Sequence, residues 1–107
     1  MSKAVIFSGI CGFSTTVVAK MEDDTVTLSI ESECPAINKL GANLPQVDPF
    51  REISFRRNMP ETLEAGAKYC THAACPVPVG IIKAVEVEAG LALPKDVSIQ
   101  ITKEELT

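Results

Sequence analysis

The chain of 107 residues has no tryptophan, one tyrosine and one histidine. A single histidine leaves little from which to assemble a Ser-His-Asp arrangement, and none is assigned. No apolar run approaches the ~20 residues of a membrane-spanning helix. The N-terminal stretch Ala4 to Phe7 after Lys3 is too short for a signal-peptide core, and no cleavage motif follows. The expectation is a cytoplasmic protein without membrane contact. A basic stripe is also missing: 10 Lys and Arg stand against 14 Asp and Glu, for a net charge of -4. The densest positive cluster is Arg51, Arg56 and Arg57. Nucleic-acid affinity comes mainly from neutralised phosphates, so nucleic acid is excluded as a partner. Gly9 and Gly12 lack the Lys-Ser/Thr and the strand–helix context of a phosphate loop. The carboxylates Glu86, Glu88, Glu104 and Glu105 read as solvated faces.

What is present begins with the length, which suits one domain over residues 1–107. A chain of this size buries roughly two-thirds of its unfolded surface and needs no covalent staples. Hydrophobic residues make up 46% and charged residues 22%, as in ordinary globular domains.

The first third reads as strands. Ala4-Val5-Ile6-Phe7 is a short apolar run, broken by the glycine-containing stretch Ser8 to Gly12. Thr15 to Met21 is β-branched and extended. After the polar turn Glu22-Asp23-Asp24, Val26, Leu28 and Ile30 alternate with polar residues, the period of a strand with one buried face. These two strands predict a hairpin. Helices with prolines at their starts follow. Cys34-Pro35 opens one carrying Ile37, Leu40 and Leu44. Asp48-Pro49 opens a second, with Asp48 as N-cap and Phe50 and Ile53 on one face. Asn58 and Glu61 resemble a capping box before a third, which carries Leu63, Ala67 and Cys70. The longest is expected from Pro76 to about Glu88, with Val79, Ile82, Val85 and Ala89 on its apolar face and Gly90 as its stop. Val97, Ile99 and Ile101 alternate with Ser98, Gln100 and Thr102 and predict a final strand, before a frayed tail over 103–107. The fold class is therefore α+β: a small antiparallel sheet, made of a β-hairpin or meander plus a C-terminal strand, with helices on one face.

The unexplained feature is four cysteines, Cys11, Cys34, Cys70 and Cys75. Disulfides are uncommon in the cytoplasm, so such thiols point to metal or redox chemistry unless they are packed as small hydrophobes. Cys11 lies about twelve residues before the hairpin turn and Cys34 about ten after it, so antiparallel pairing brings both to one end of the hairpin. Cys34 and Cys75 each precede a proline and a helical pattern, where a helix N-terminus favours the thiolate. Cys70 and Cys75 flank a tight loop that contains His72. That imidazole is a fourth ligand, an outer partner or a solvated loop residue. Standard zinc-finger and ferredoxin spacings are absent, as is C-x-x-C.

Cys11-Gly12 before a hairpin, Cys34 where a strand enters a helix and Cys75 at a later helix start follow one order. In this the chain resembles the U-type iron–sulfur cluster scaffold proteins. The segment Cys75-Pro76-Val77 through Ile82-Lys83-Ala84 is similar to that family's third-cysteine helix. The likeness covers roughly Ile10 to Glu88 in organisation. Phe13 stands where the family has Asp, Ala74 where it has His, and Cys70 is extra. His72-Ala73-Ala74-Cys75-Pro76-Val77-Pro78-Val79-Gly80 is also similar to a small uncharacterised family of anaerobic microbes.

The first expectation is a metal-thiolate protein, an iron–sulfur protein in cluster assembly, carriage or electron transfer. Its ligands would be Cys11, Cys34, Cys75 and Cys70, with His72 as a further metal ligand and zinc as the alternative to a cluster. Its partners would be other proteins of cluster assembly or electron transfer. A second reading is a thiol-redox protein with Cys75 as the reactive cysteine, Cys70 as resolving thiol and His72 as base. A third is an interaction domain with packed cysteines.

Overall fold

The computed structural model describes residues 1–56 and 58–105. Arg57 of the basic cluster and Leu106 and Thr107 of the tail lie outside the described residues. The elements are β1 (Ser2–Phe7), β2 (Ser14–Glu22), β3 (Thr25–Ser32), α1 (Pro35–Ala42), β4 (Gln46–Val47), α2 (Pro49–Glu52), α3 (Glu61–Tyr69) and α4 (Val77–Glu88). The four strands form one antiparallel sheet in the order β1-β2-β3-β4. Helices pack against it, so the α+β class is as the sequence predicts.

The β2–β3 hairpin turns at Asp23-Asp24, with Glu22 opposite Thr25 and Asp23 at φ 55°. Asp tolerates this left-handed region better than most residues. Period two then sorts the side chains. Val17 and Ala19 of β2 and Val26 and Leu28 of β3 are buried beneath the helices, while Ser29 and Glu31 face solvent. Ile37 and Leu40 of α1 and Val77, Ile81, Ala84 and Val85 of α4 complete the core. Helix α1 lies on β3, α4 lies on β1 and β2, and α3 touches both helices.

Helix α4 runs antiparallel to β1. Gly80 sits against Ile6, so closely that a Cβ at Gly80 would meet the Ile6 Cγ1 at 2.6 Å. At the other end the Glu88 carboxylate accepts from Ser2 Oγ at 2.8 Å and from the Met21 backbone N–H at 2.8 Å. The Met21 bond, then the Ser2 bond, holds the Glu88 carboxyl below the usual carboxylate range. Glu88 is thus a tie between α4 and two strands, not a solvated face. Gly90, at φ 75°, ends the helix. Its N–H donates to Val87 O, and the Leu91 N–H donates to Glu86 O. This double bond pattern closes a helix through a left-handed glycine.

Four expectations are corrected. The final strand over 97–101 does not form: it is exposed, joins no ladder, and the sheet is completed by β1 and the short β4 instead. The buried stripe of α4 is Val77, Ile81, Ala84 and Val85, and Val79 is 51% exposed. This helix is apolar almost all round, and the close approach at Gly80 selects the face. In α2 the buried residues are Pro49 and Glu52, with Phe50 and Ile53 outside. Asp48 does cap that helix, accepting from the Phe50 N–H at 3.0 Å. The capping box at Asn58 and Glu61 is absent, since Pro60 is the N-cap of α3 and makes no side-chain cap bond. Its free N–H groups are satisfied from outside, by the Glu52 carboxylate. That carboxylate accepts from the Glu61 and Thr62 backbone N–H groups at 2.8 Å each and from the Thr62 hydroxyl. The inward face of α3 follows from this anchoring: Thr62 and Gly66 are buried, whereas Ala67 is exposed and Leu63 half-buried.

Candidate functional site

Three of the four cysteines stand at two helix junctions, Cys34 where β3 passes into α1 and Cys70 and Cys75 where α3 passes into α4. Cys34 is the N-cap of α1, extended at φ -88° and ψ 119°, followed by Pro35 in the first turn. The strand-to-helix joint that carries it is tied down by side chains. Asn38 Oδ1 accepts from the Ser32 N–H at 3.0 Å, and Asn38 Nδ2 donates to the Ser32 carbonyl at 2.7 Å. Ser32 Oγ accepts from the Cys34 N–H at 3.0 Å and lies 2.7 Å from the buried Thr15 Oγ1. Cys34 therefore occupies a position fixed by β2, β3 and α1 together.

Cys70 is the C-cap of α3, its N–H donating to Gly66 O at 2.9 Å. A turn follows, closed by the Cys75 N–H on the His72 carbonyl at 3.2 Å. Cys75 stands one residue before Pro76, the N-cap of α4. Cys34, Cys70 and Cys75 are all half-buried and pack against the hydrophobic core, together with Tyr69, Ala65 and Ile30.

The electrostatics bind the three into one site. The Cys70 thiol is pushed up to about 11, first by burial. The charge of Cys75, a thiol hydrogen bond with Cys75 and the charge of Cys34 all act in the same direction. A charge carries further in a protein interior than in water, so Cys70 is within electrostatic reach of both Cys75 and Cys34. The two neighbouring sulfurs thus add to burial in holding Cys70 protonated. Adding a soft cation, or oxidising two of the sulfurs, would remove that repulsion.

The remaining sequence candidates fall elsewhere. The β2–β3 register pairs Thr15 with Ser32, and Glu33 N–H donates to Ser14 O, so the segment carrying Cys11 does lie at the Cys34 end of the hairpin. Cys11 itself is exposed, on a β1–β2 connection whose Gly9 and Gly12 both adopt positive φ. It does not act on Cys70. His72 is exposed, and its contribution to the turn is its carbonyl, not its imidazole. Among the described residues, no group of three or more His, Cys, Asp or Glu side chains is arranged to hold a metal ion. Sequence reasoning missed Ser32 and Asn38, the side chains that fix Cys34. The available signal was Asn38 placed one helical turn beyond Cys34, where it can reach back to the preceding strand.

The fold defines a small α+β protein with Cys34, Cys70 and Cys75 half-buried against its core. Residues 2–101 match a family of unknown function (DUF6951), and the chain belongs to that family. No curated protein and no solved structure matches it. Among the described residues, no helix is long and apolar enough to cross a membrane.

Proposed function

We propose that this protein is a metal-thiolate protein that holds an iron–sulfur cluster through Cys34, Cys70 and Cys75, in an assembly, carrier or electron-transfer role. The observation that carries the reading is that Cys34, Cys70 and Cys75, drawn from two separate helix junctions, are half-buried against one core, with Cys70 influenced by both of the others. The donor chemistry suits the group: soft thiolates select iron–sulfur clusters, zinc or Cu(I). When bound, a cluster would supply one-electron chemistry or transferable iron and sulfide. The chain's own part is to hold the sulfurs: Asn38 and Ser32 fix Cys34, and the turn at His72 fixes the Cys70–Cys75 spacing. Cys11, exposed at the same end of the sheet, is the candidate fourth ligand. A reducing cytoplasm suits such a site, and the partners would be other proteins of cluster assembly or electron transfer.

The placement of Cys70 and Cys75 on either side of one short turn, with Cys70 influenced by Cys75, favours a second reading, a dithiol that exchanges with a disulfide substrate. The Cys75 thiolate would attack one sulfur of that substrate and expel a thiolate. Cys70, after losing its proton, would attack the mixed disulfide and release the second thiol. Two electrons then pass from the dithiol to the substrate.

The test is anaerobic purification and reconstitution with iron and sulfide, followed by metal and sulfide analysis and a visible spectrum. The expected result is a coloured protein whose iron falls sharply in Cys34→Ser, Cys70→Ser and Cys75→Ser. A colourless, iron-free product after reconstitution would overturn the cluster reading. Mapping of a Cys70–Cys75 disulfide after mild oxidation of that product would then favour the dithiol.

A further inference from the structure

The sheet carries an open edge, and the chain carries a strand-like sequence that joins no sheet. β1 pairs with β2 on one side only, and no described residue pairs with its other edge. Residues 93–105 are all exposed, although 97–101 have the alternation of a strand. Val97 is 60%, Ile99 75% and Ile101 88% exposed. Free edges are usually blunted or covered, and apolar alternation without a partner has no use in water. The family match runs to residue 101 and so includes the alternating residues of this arm.

Between the two features lies a groove of about 1120 Å³, lined by Lys3 and Val5 of β1, Lys83 and Val87 of α4, and Pro94 and Val97 of the arm's root. The arm borders this groove but does not fill it. We propose that the groove is filled by residues 97–101 of a second copy of this chain, each arm adding a fifth strand to the other copy's β1.

Direction and reach favour the second copy. Because α4 runs antiparallel to β1, it returns the chain to the Ser2 end. From there an arm can follow its own β1 only in parallel, the slightly weaker pairing. An arm from a partner is free to run antiparallel. Beyond its root the arm is exposed throughout. Both faces of β1 offer apolar neighbours, Ala4 and Ile6 on the helix side and Val5 and Phe7 on the other. Exchange of identical segments between copies is a low-cost route to dimers.

The experiment is the solution mass of the full chain by sedimentation equilibrium over a wide concentration range, under reducing conditions so that the exposed Cys11 cannot cross-link copies. Amide exchange over 97–101 is read on the same samples. The expected result is a dimer with protected arm amides. Ile99→Pro should convert it to a monomer that keeps its far-ultraviolet dichroism, because the arm contributes nothing to the core. A monomer at every concentration would overturn the proposal, whether its arm amides are open or protected. So would a dimer that survives Ile99→Pro.

Discussion

Glu52 is the most testable side chain in the fold, because a buried carboxylate here does the work of a helix cap. It is 1% exposed, and it accepts from the Glu61 N–H, the Thr62 N–H and the Thr62 hydroxyl at the start of α3. Replacing it with Ala removes every one of these acceptors. A buried donor left unsatisfied costs about 1–3 kcal/mol, and bonds to a charged group lie at the upper end. The Thr62 groups are fully buried, so water has poor access to them, whereas the Glu61 N–H is nearer the surface. Allowing one donor to be rehydrated, Glu52→Ala should lose roughly 3–5 kcal/mol. Most domains have only about 5–15 kcal/mol in total, so the variant should be near the edge of folding. Glu52→Gln keeps the volume and one acceptor oxygen but turns an amide N–H toward a donor, and should fall between wild type and Ala. Urea unfolding followed by circular dichroism measures both, provided the slope with denaturant is unchanged. A loss below about 1 kcal/mol for Glu52→Ala would refute the assignment of this carboxylate as the cap of α3.

Gly80→Ala should destabilise despite the better helix propensity of Ala, by about 1–2 kcal/mol net, since the added methyl collides with Ile6 across the α4–β1 contact. Thermal unfolding would check it, and a second change of Ile6→Val should recover part of the loss. Cys70 gives a pH dependence of defined sign. Its folded value is raised from 9.0 to about 11, so the unfolded chain releases the proton first. Its contribution is present in full below the unfolded value and is lost as the pH rises through 9 toward 11. In the metal-free, reduced protein, wild type should therefore lose stability more steeply over that window than Cys70→Ala, as read by parallel urea titrations.

How much of this was legible in the sequence follows from how local each determinant is. β2, β3 and their turn could be read because a period of two and a pair of aspartates are properties of adjacent residues. Cys34 as an N-cap could be read for the same reason, from Cys-Pro before a helical pattern. The cap of α3 could not, because it comes from a carboxylate nine residues upstream of Glu61 on another helix. Asn58 and Glu61 offered a local pattern that the tertiary contact overrode. The face of α4 was equally illegible: Val77, Val79, Ile81, Ile82, Val85 and Val87 surround the helix, and only packing against Ile6 chooses among them. At 97–101 the alternation is genuine, but a strand also needs an edge within reach.

The site divides along the same line. Counting residues from the hairpin turn correctly predicted that Cys11 and Cys34 belong to one end of the sheet, since ladder register is arithmetic. It did not predict which sulfur faces inward, because the two positive-φ glycines around Cys11 redirect the chain and leave that thiol in solvent. Cys70 looked the least certain ligand, placed at helical spacing from Leu63 and Ala67 as though it were core. The structure ends α3 at Tyr69 with Cys70 as its C-cap, packed against the core as that spacing suggests and influenced there by Cys75 and Cys34 as well. This influence has a direction that bears on function. Burial, Cys75 and Cys34 hold the Cys70 thiol protonated near neutral pH, where it is a poor nucleophile. Ionising Cys70 near neutral pH needs a compensating positive charge, and a thiophilic metal or cluster would supply it. A dithiol would need only Cys75 to ionise. The response of Cys70 to iron, compared with its response to a disulfide, therefore separates the two readings at a single sulfur.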